Sequence, residues 1–213
     1  MDIQIGYLPK RTYSIQPSIG GNFPFALTSD PSYVLKVDRT YLPEINSDFF
    51  PLWMKNIKAY PLYICAEFPL DMLDEFENEC KELVISNRCL KSKDYSLVVT
   101  EIKNELQFRE LFPYYITIGF GIGLVLWSTN KDIISVVKRE WKGGSNKGYR
   151  KGKHKPLIED TLVVDLDEET SIFWIGYDGD NFVVISNRSS FSTYEQIVQT
   201  LPDFVVPNIV EFE

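Results

Sequence analysis

Glu140-Trp141-Lys142, with Asp132 eight positions earlier, is this chain's nearest approach to a hydrolytic set. Two carboxylates can hold Mg²⁺ while a lysine supports the attacking water, the chemistry of a metal-dependent nuclease. The spacing selects little. Glu79-Cys80-Lys81 and Glu101-Ile102-Lys103 match E-x-K equally well, and Asp132 follows a lysine, not a proline.

Asp165, Asp167, Glu168 and Glu169 offer oxygen ligands for Mg²⁺ or Ca²⁺. On a strand, Asp165 and Asp167 would face the same side and share an ion. A turn at 167–170 accounts for the same acidity without a metal. Asp178-Gly179-Asp180 lacks the further ligands of an EF-hand loop and reads as a second turn. Gly119-Phe120-Gly121-Ile122-Gly123 lacks the offset third glycine and the following amphipathic helix of a dinucleotide site. Its glycines are expected to let a helix or a ligand approach a central strand. Residues 144–155 contain no GK[ST], so they are not a Walker A loop. His154 is the sole histidine, which excludes a multi-histidine metal site. It lies in a stretch that gives a general base no fixed neighbour. Cys65, Cys80 and Cys89 are odd in number and form no CxxC pair, so they read as reduced thiols. The expectation is no catalytic residue, no resident metal and no cofactor.

Charge is distributed unevenly. Residues 131–155 hold nine bases against two acids, for +7. Within them, the loop 142–155 is dense in glycine, lysine and arginine, and is expected to be exposed and mobile. It reads either as a solvated hairpin tip or as a contact for an anion, a nucleic-acid phosphate or an acidic protein surface. Residues 156–213 hold twelve acids against one base, Arg188, for −11. That third reads either as a solvated sheet face or as a surface complementary to a basic partner.

The elements that must position these groups follow from periodicity and punctuation. Six prolines interrupt residues 1–60, which predicts short strands, long loops and little helix, with a possible separate lobe there. Tyr33–Val37 is the clearest strand among them. Phe49–Met54 is a core plug or an exposed partner patch. Tyr60–Ala66 reads as a buried strand. Pro69 and Asp71 open a helix to about Val84, with Leu70, Met72, Leu73, Phe76, Cys80 and Leu83 as its apolar stripe. Ile102, Leu106 and Leu111 suit a helix stopped by Pro113, and Tyr114–Trp127 is expected to be a central strand. Ile133–Val137 is ambiguous, because four of its five residues are β-branched. Thr161–Leu166, Ser171–Tyr177 and Asn181–Ser186, separated by two acidic turns, predict an antiparallel meander. Ser192 to Glu195 reads as a capping box for a short helix ending before Pro202. The expected class is α+β: an antiparallel or mixed sheet with two to four helices, a C-terminal β-meander and a short helix after it. One domain over residues 1–213 is the expectation.

The chain has 213 residues and a net charge of −8, which argues against a general nucleic-acid coat. Nucleic acid enters only through the basic loop. The N-terminus lacks the basic and apolar regions of a signal peptide. The longest apolar run, 116–127, is too short for a membrane helix. A cytoplasmic protein with no membrane partner is therefore expected.

In size, acidity and want of a catalytic motif, the chain resembles bacterial immunity proteins that neutralise toxins. The residues nearest to that resemblance are the acidic run Glu159-Asp160, Asp165, Asp167-Glu168-Glu169 and the turn Asp178-Gly179-Asp180. The resemblance implies a cognate protein toxin as partner, bound so as to occlude its active site. Asp165, Asp167, Glu168, Glu169, Asp178 and Asp180 would supply charge, with Tyr177 and Tyr149 as aromatic anchors. The alternatives are a metal-dependent enzyme acting on nucleic acid through the basic loop and nearby carboxylates, and a structural or assembly subunit.

Overall fold

Strands that are apolar on both faces must lie between two covering layers. Ser171–Ile175 is buried at every position, with Phe173 and Ile175 in one apolar cluster and Ile172 and Trp174 in the other. The computed structural model describes residues 1–15, 23–92, 95–121, 123–141 and 157–213. The basic loop 142–155, with Tyr149 and His154, lies outside the described residues.

Among the described residues there are twelve strands: β1 (Asp2–Tyr7), β2 (Ala26–Leu27), β3 (Tyr33–Asp38), β4 (Leu62–Phe68), β5 (Ser86–Ser92), β6 (Ser96–Ile102), β7 (Val125–Ser128), β8 (Ile134–Trp141), β9 (Leu157–Val164), β10 (Ser171–Ile175), β11 (Asn181–Ser186) and β12 (Val206–Ile209). The helices are α1 (Phe49–Asn56), α2 (Leu70–Glu82), α3 (Glu105–Phe120) and α4 (Tyr194–Val198). Nine strands form one sheet in the order β12-β1-β3-β11-β10-β7-β4-β6-β5. Its pairs are antiparallel except β1 with β12. A second sheet, β2-β9-β8, covers part of one face. The class is the expected α+β. β1 and β3 place residues of the first 60 inside the same large sheet as the rest of the chain.

The helices cover the other face. Phe50 is fully buried, with ring centroids of Phe182 at 4.7 Å, Phe112 at 5.3 Å and Trp127 at 5.4 Å. Edge-to-face and tilted geometries of this kind add to area burial. On the opposite face Trp174 meets Phe23 and Phe25 edge-on, each at 5.9 Å, beneath Ile134, Leu162 and Val164 of the smaller sheet. Among the described residues no helix is long and apolar enough to cross a membrane.

Four local readings change. Tyr114–Trp127 is not one strand: α3 continues through Pro113 to Phe120, and only Val125–Ser128 is extended. The buried residues Phe108, Leu111, Phe112, Tyr115, Ile118 and Gly119 recur at helical spacing across the proline. Pro113 sits on the exposed face, where water can reach the backbone group it leaves unpaired. Phe49–Met54 is core, as one reading held, but it is helical, and Pro51 stands in the first turn of α1, where its missing N–H costs nothing. At the C-terminal end, β10 and β11 pair as a hairpin, followed by α4, while β9 crosses to the smaller sheet and pairs with β8. The cap of α4 is one residue later than read: the Gln196 N–H donates to Thr193 Oγ1.

Candidate functional site

The hairpin β10–β11 separates the predicted acidic residues instead of gathering them. Asp165 and the turn 167–169 precede β10, whereas Asp178 and Asp180 follow it. Five strand residues, about 17 Å, lie between the two groups. The predicted face is therefore two patches, one at each end of the large sheet.

The first patch is largely spent on local structure. Thr28 Oγ1 donates to Asp165 Oδ1 at 2.8 Å. Asp167 Oδ1 accepts from the Glu169 N–H at 3.0 Å and from Thr170 Oγ1, closing the turn. Asn187 Nδ2 donates to the Asp167 carbonyl at 2.9 Å, tying this turn to the segment after β11. Glu168 and Glu169 remain exposed, with Glu169 3.9 Å from Arg188. Asp165 and Asp167 lie beyond the end of β9, so the strand alternation that would have aimed both at one ion does not operate there. Asp132 pairs with Arg88 at 2.9 Å and lies at the opposite end of β8 from Glu140. Roughly 25 Å of chain separates the two, too far for a shared Mg²⁺. Among the described residues no group of three or more His, Cys, Asp or Glu is placed to hold a metal.

The second patch is built differently. Leu42, in a 3-10 turn at Leu42–Glu44, packs between two glycines. A Cβ on Gly119 would stand 3.1 Å from Leu42 Cδ1, and one on Gly179 would stand 2.9 Å from it. Gly179 also has φ +66, a conformation that favours glycine. The glycines thus bring three segments together: the 3-10 turn, the end of α3 and the β10–β11 turn. Gly119 serves close packing against Leu42 and Ile175, on the helix side of the contact.

That junction carries an aromatic pair which sequence reading did not select. Tyr41 and Phe120 are exposed, with ring centroids 5.9 Å apart and planes at 79°. Phe120 is 46% exposed, more than the rest of α3's aromatic side chains. Glu44 in the 3-10 turn, and Asp178 and Asp180 in and after the β10–β11 turn, are exposed carboxylates on these segments, and Arg39, two residues before Tyr41, is an exposed base. Tyr177 lies in the same 3-10 turn as Asp178, but its side chain is outside the described residues. The signal that was available is Phe120 beside Gly119 and Gly121; it was absorbed into the expected strand.

The thiols offer no nucleophile here. Cys65 and Cys80 are buried, and burial pushes Cys65 far above the ordinary thiol range and Cys80 up to about 11. Cys89 is exposed on edge strand β5, away from this junction.

No family model matches the chain, and no curated protein or solved structure shows significant similarity to it.

Proposed function

We propose that this chain is a cytoplasmic protein-binding inhibitor of the immunity type, which neutralises a cognate toxin by covering its active site. The observation that carries the reading is the exposed Tyr41–Phe120 pair at a junction whose joined segments also carry the exposed carboxylates Asp178, Asp180 and Glu44. Paired aromatics with a charged rim have the composition of an interface centre. The carboxylates select a basic partner, whose lysine or arginine stacks on the rings and pairs with the turn aspartates. The net charge of −8 adds long-range attraction to such a partner.

The test compares two tagged baits in lysate of the source cells: the unaltered chain and a variant with Tyr41→Ala, Phe120→Ala, Asp178→Lys and Asp180→Lys. The reading predicts a stoichiometric protein held by the first and lost by the second. Expression of that protein should arrest growth unless the unaltered chain is co-expressed. A partner retained equally by both baits refutes this surface, and a partner with no toxicity refutes the inhibitor role.

A further inference from the structure

At the opposite end of the hairpin, on the helix face, α1, α4 and the segment after β11 enclose an open cleft of about 400 Å³. That volume falls in the range that accepts small ligands. Among the described residues that line it are two cations, Lys58 and Arg188, and no Asp or Glu. Ile57 and Phe191 supply apolar wall, with Phe173 beneath. Gln196 and Gln199 add amides. Ser192 Oγ donates to Gln196 Oε1 at 3.0 Å, which leaves the Nε2 donor of that amide uncommitted by this bond.

The walls are braced from behind. Trp53 Nε1 donates to Thr200 Oγ1 at 3.0 Å, and Asn56 Nδ2 donates to the Thr200 carbonyl at 2.9 Å, fixing α1 to the turn after α4. Lys58 is held in an unusual backbone state. Its φ is +55, in the position after α1 that glycine favours. The Lys58 N–H donates to the Lys55 carbonyl at 3.0 Å and the Ala59 N–H to the Met54 carbonyl at 2.9 Å. Lys58 thus carries a side chain where the backbone would prefer glycine, and it is one of the residues that line the cleft. In a chain of net negative charge, two bases and no acid among the described lining residues mark the cleft off.

We infer that this cleft binds a small organic anion: the charged group meets Lys58 and Arg188, and a flat apolar body lies against Ile57 and Phe191. Glu169, 3.9 Å from Arg188, competes with the ligand for that guanidinium.

The probe is phenyl phosphate, titrated into the full chain labelled with ¹⁵N. The Trp53 indole N–H reports on the cleft through Thr200. A saturable shift of that resonance below about 10 mM is expected. Lys58→Gly should weaken binding by about tenfold, and since the backbone there favours glycine, that loss is not one of folding. Arg188→Gln should do the same, while Glu169→Gln should tighten binding by about twofold. Benzylammonium, with the ring and the opposite charge, should give no saturable shift. No shift with phenyl phosphate, equal binding of benzylammonium, equal binding of inorganic phosphate, or unchanged affinity in Lys58→Gly would each overturn the assignment.

Discussion

Replacing Val84 with glycine should make the protein more stable. Val84 follows α2 with φ +55, and it is 81% exposed. Its N–H donates to the Lys81 carbonyl at 3.2 Å, and the next N–H, of Ile85, donates to the Cys80 carbonyl at 2.7 Å. These two bonds reverse the chain so that Ile85 enters the core and β5 begins. The left-handed conformation costs a side-chain-bearing residue about 1–2 kcal/mol. Glycine removes that cost but frees the unfolded chain, which returns about 0.4–1 kcal/mol. Little apolar burial is lost from so exposed a side chain. The net expectation is a gain of about 0.5–1 kcal/mol. For a chain of this length that raises Tm by about 1–4 °C. Urea unfolding should show a higher midpoint at an unchanged slope. Val84→Ala keeps its Cβ and should gain less than the glycine variant. A glycine variant that melts below the unaltered chain would refute the reasoning, because Val84 would then be making a native contact worth more than its strain.

Two further expectations concern titratable groups. A disulfide reagent at pH 8 should react quickly with one thiol, Cys89, and with all three only in denaturant, because Cys65 and Cys80 are buried with raised pKa values. Fast reaction of two or more thiols in the folded protein would contradict the packing of β4 and α2. The Tyr7 hydroxyl donates to the Phe191 carbonyl at 2.7 Å, and burial first, then nearby Tyr194, Tyr33 and Glu195, push its pKa from 10.0 up to about 12. The unfolded chain ionises first, so this contribution is intact below pH 10 and is lost as pH rises from 10 to 12. Tyr7→Phe should flatten the fall of the urea midpoint over that window, and an unaltered fall would assign the alkaline loss to other groups.

Periodicity made the helix α2 and the strands β3, β4, β10 and β11 legible, because their burial patterns follow from the residues themselves. α3 was illegible for two reasons that acted together. Ile116-Thr117-Ile118 has strand propensity, and Pro113 looks like a stop signal. Yet Phe108, Phe112 and Tyr115 gain more from one shared face against Phe50, Phe76 and Trp127 than propensity costs. The candidate surface was hidden by the same error. With 114–127 read as a strand, Phe120 was core, and nothing linked it to Tyr41, 79 positions earlier. Acidity in the C-terminal third was plain from composition. That β10 would divide it between two ends of the sheet depended on which strands pair, which local sequence does not determine. The crossing of β9 to the smaller sheet has the same cause.

The place of β1 in the large sheet bears on how the chain is made. Its partner β12 lies at the far end of the sequence: the Met1 ammonium donates to the Phe204 carbonyl 203 positions away. At about 5–20 residues per second, ribosomal synthesis takes roughly 10–40 s to supply that partner. Over that interval one side of β1 has no strand to pair with, and its buried residues Ile3 and Ile5 lack their final cover. β3 must likewise wait for β11. Such distant pairings predict slow folding that waits until β12 has been made, with exposed strand edges on the growing chain as natural clients for chaperones.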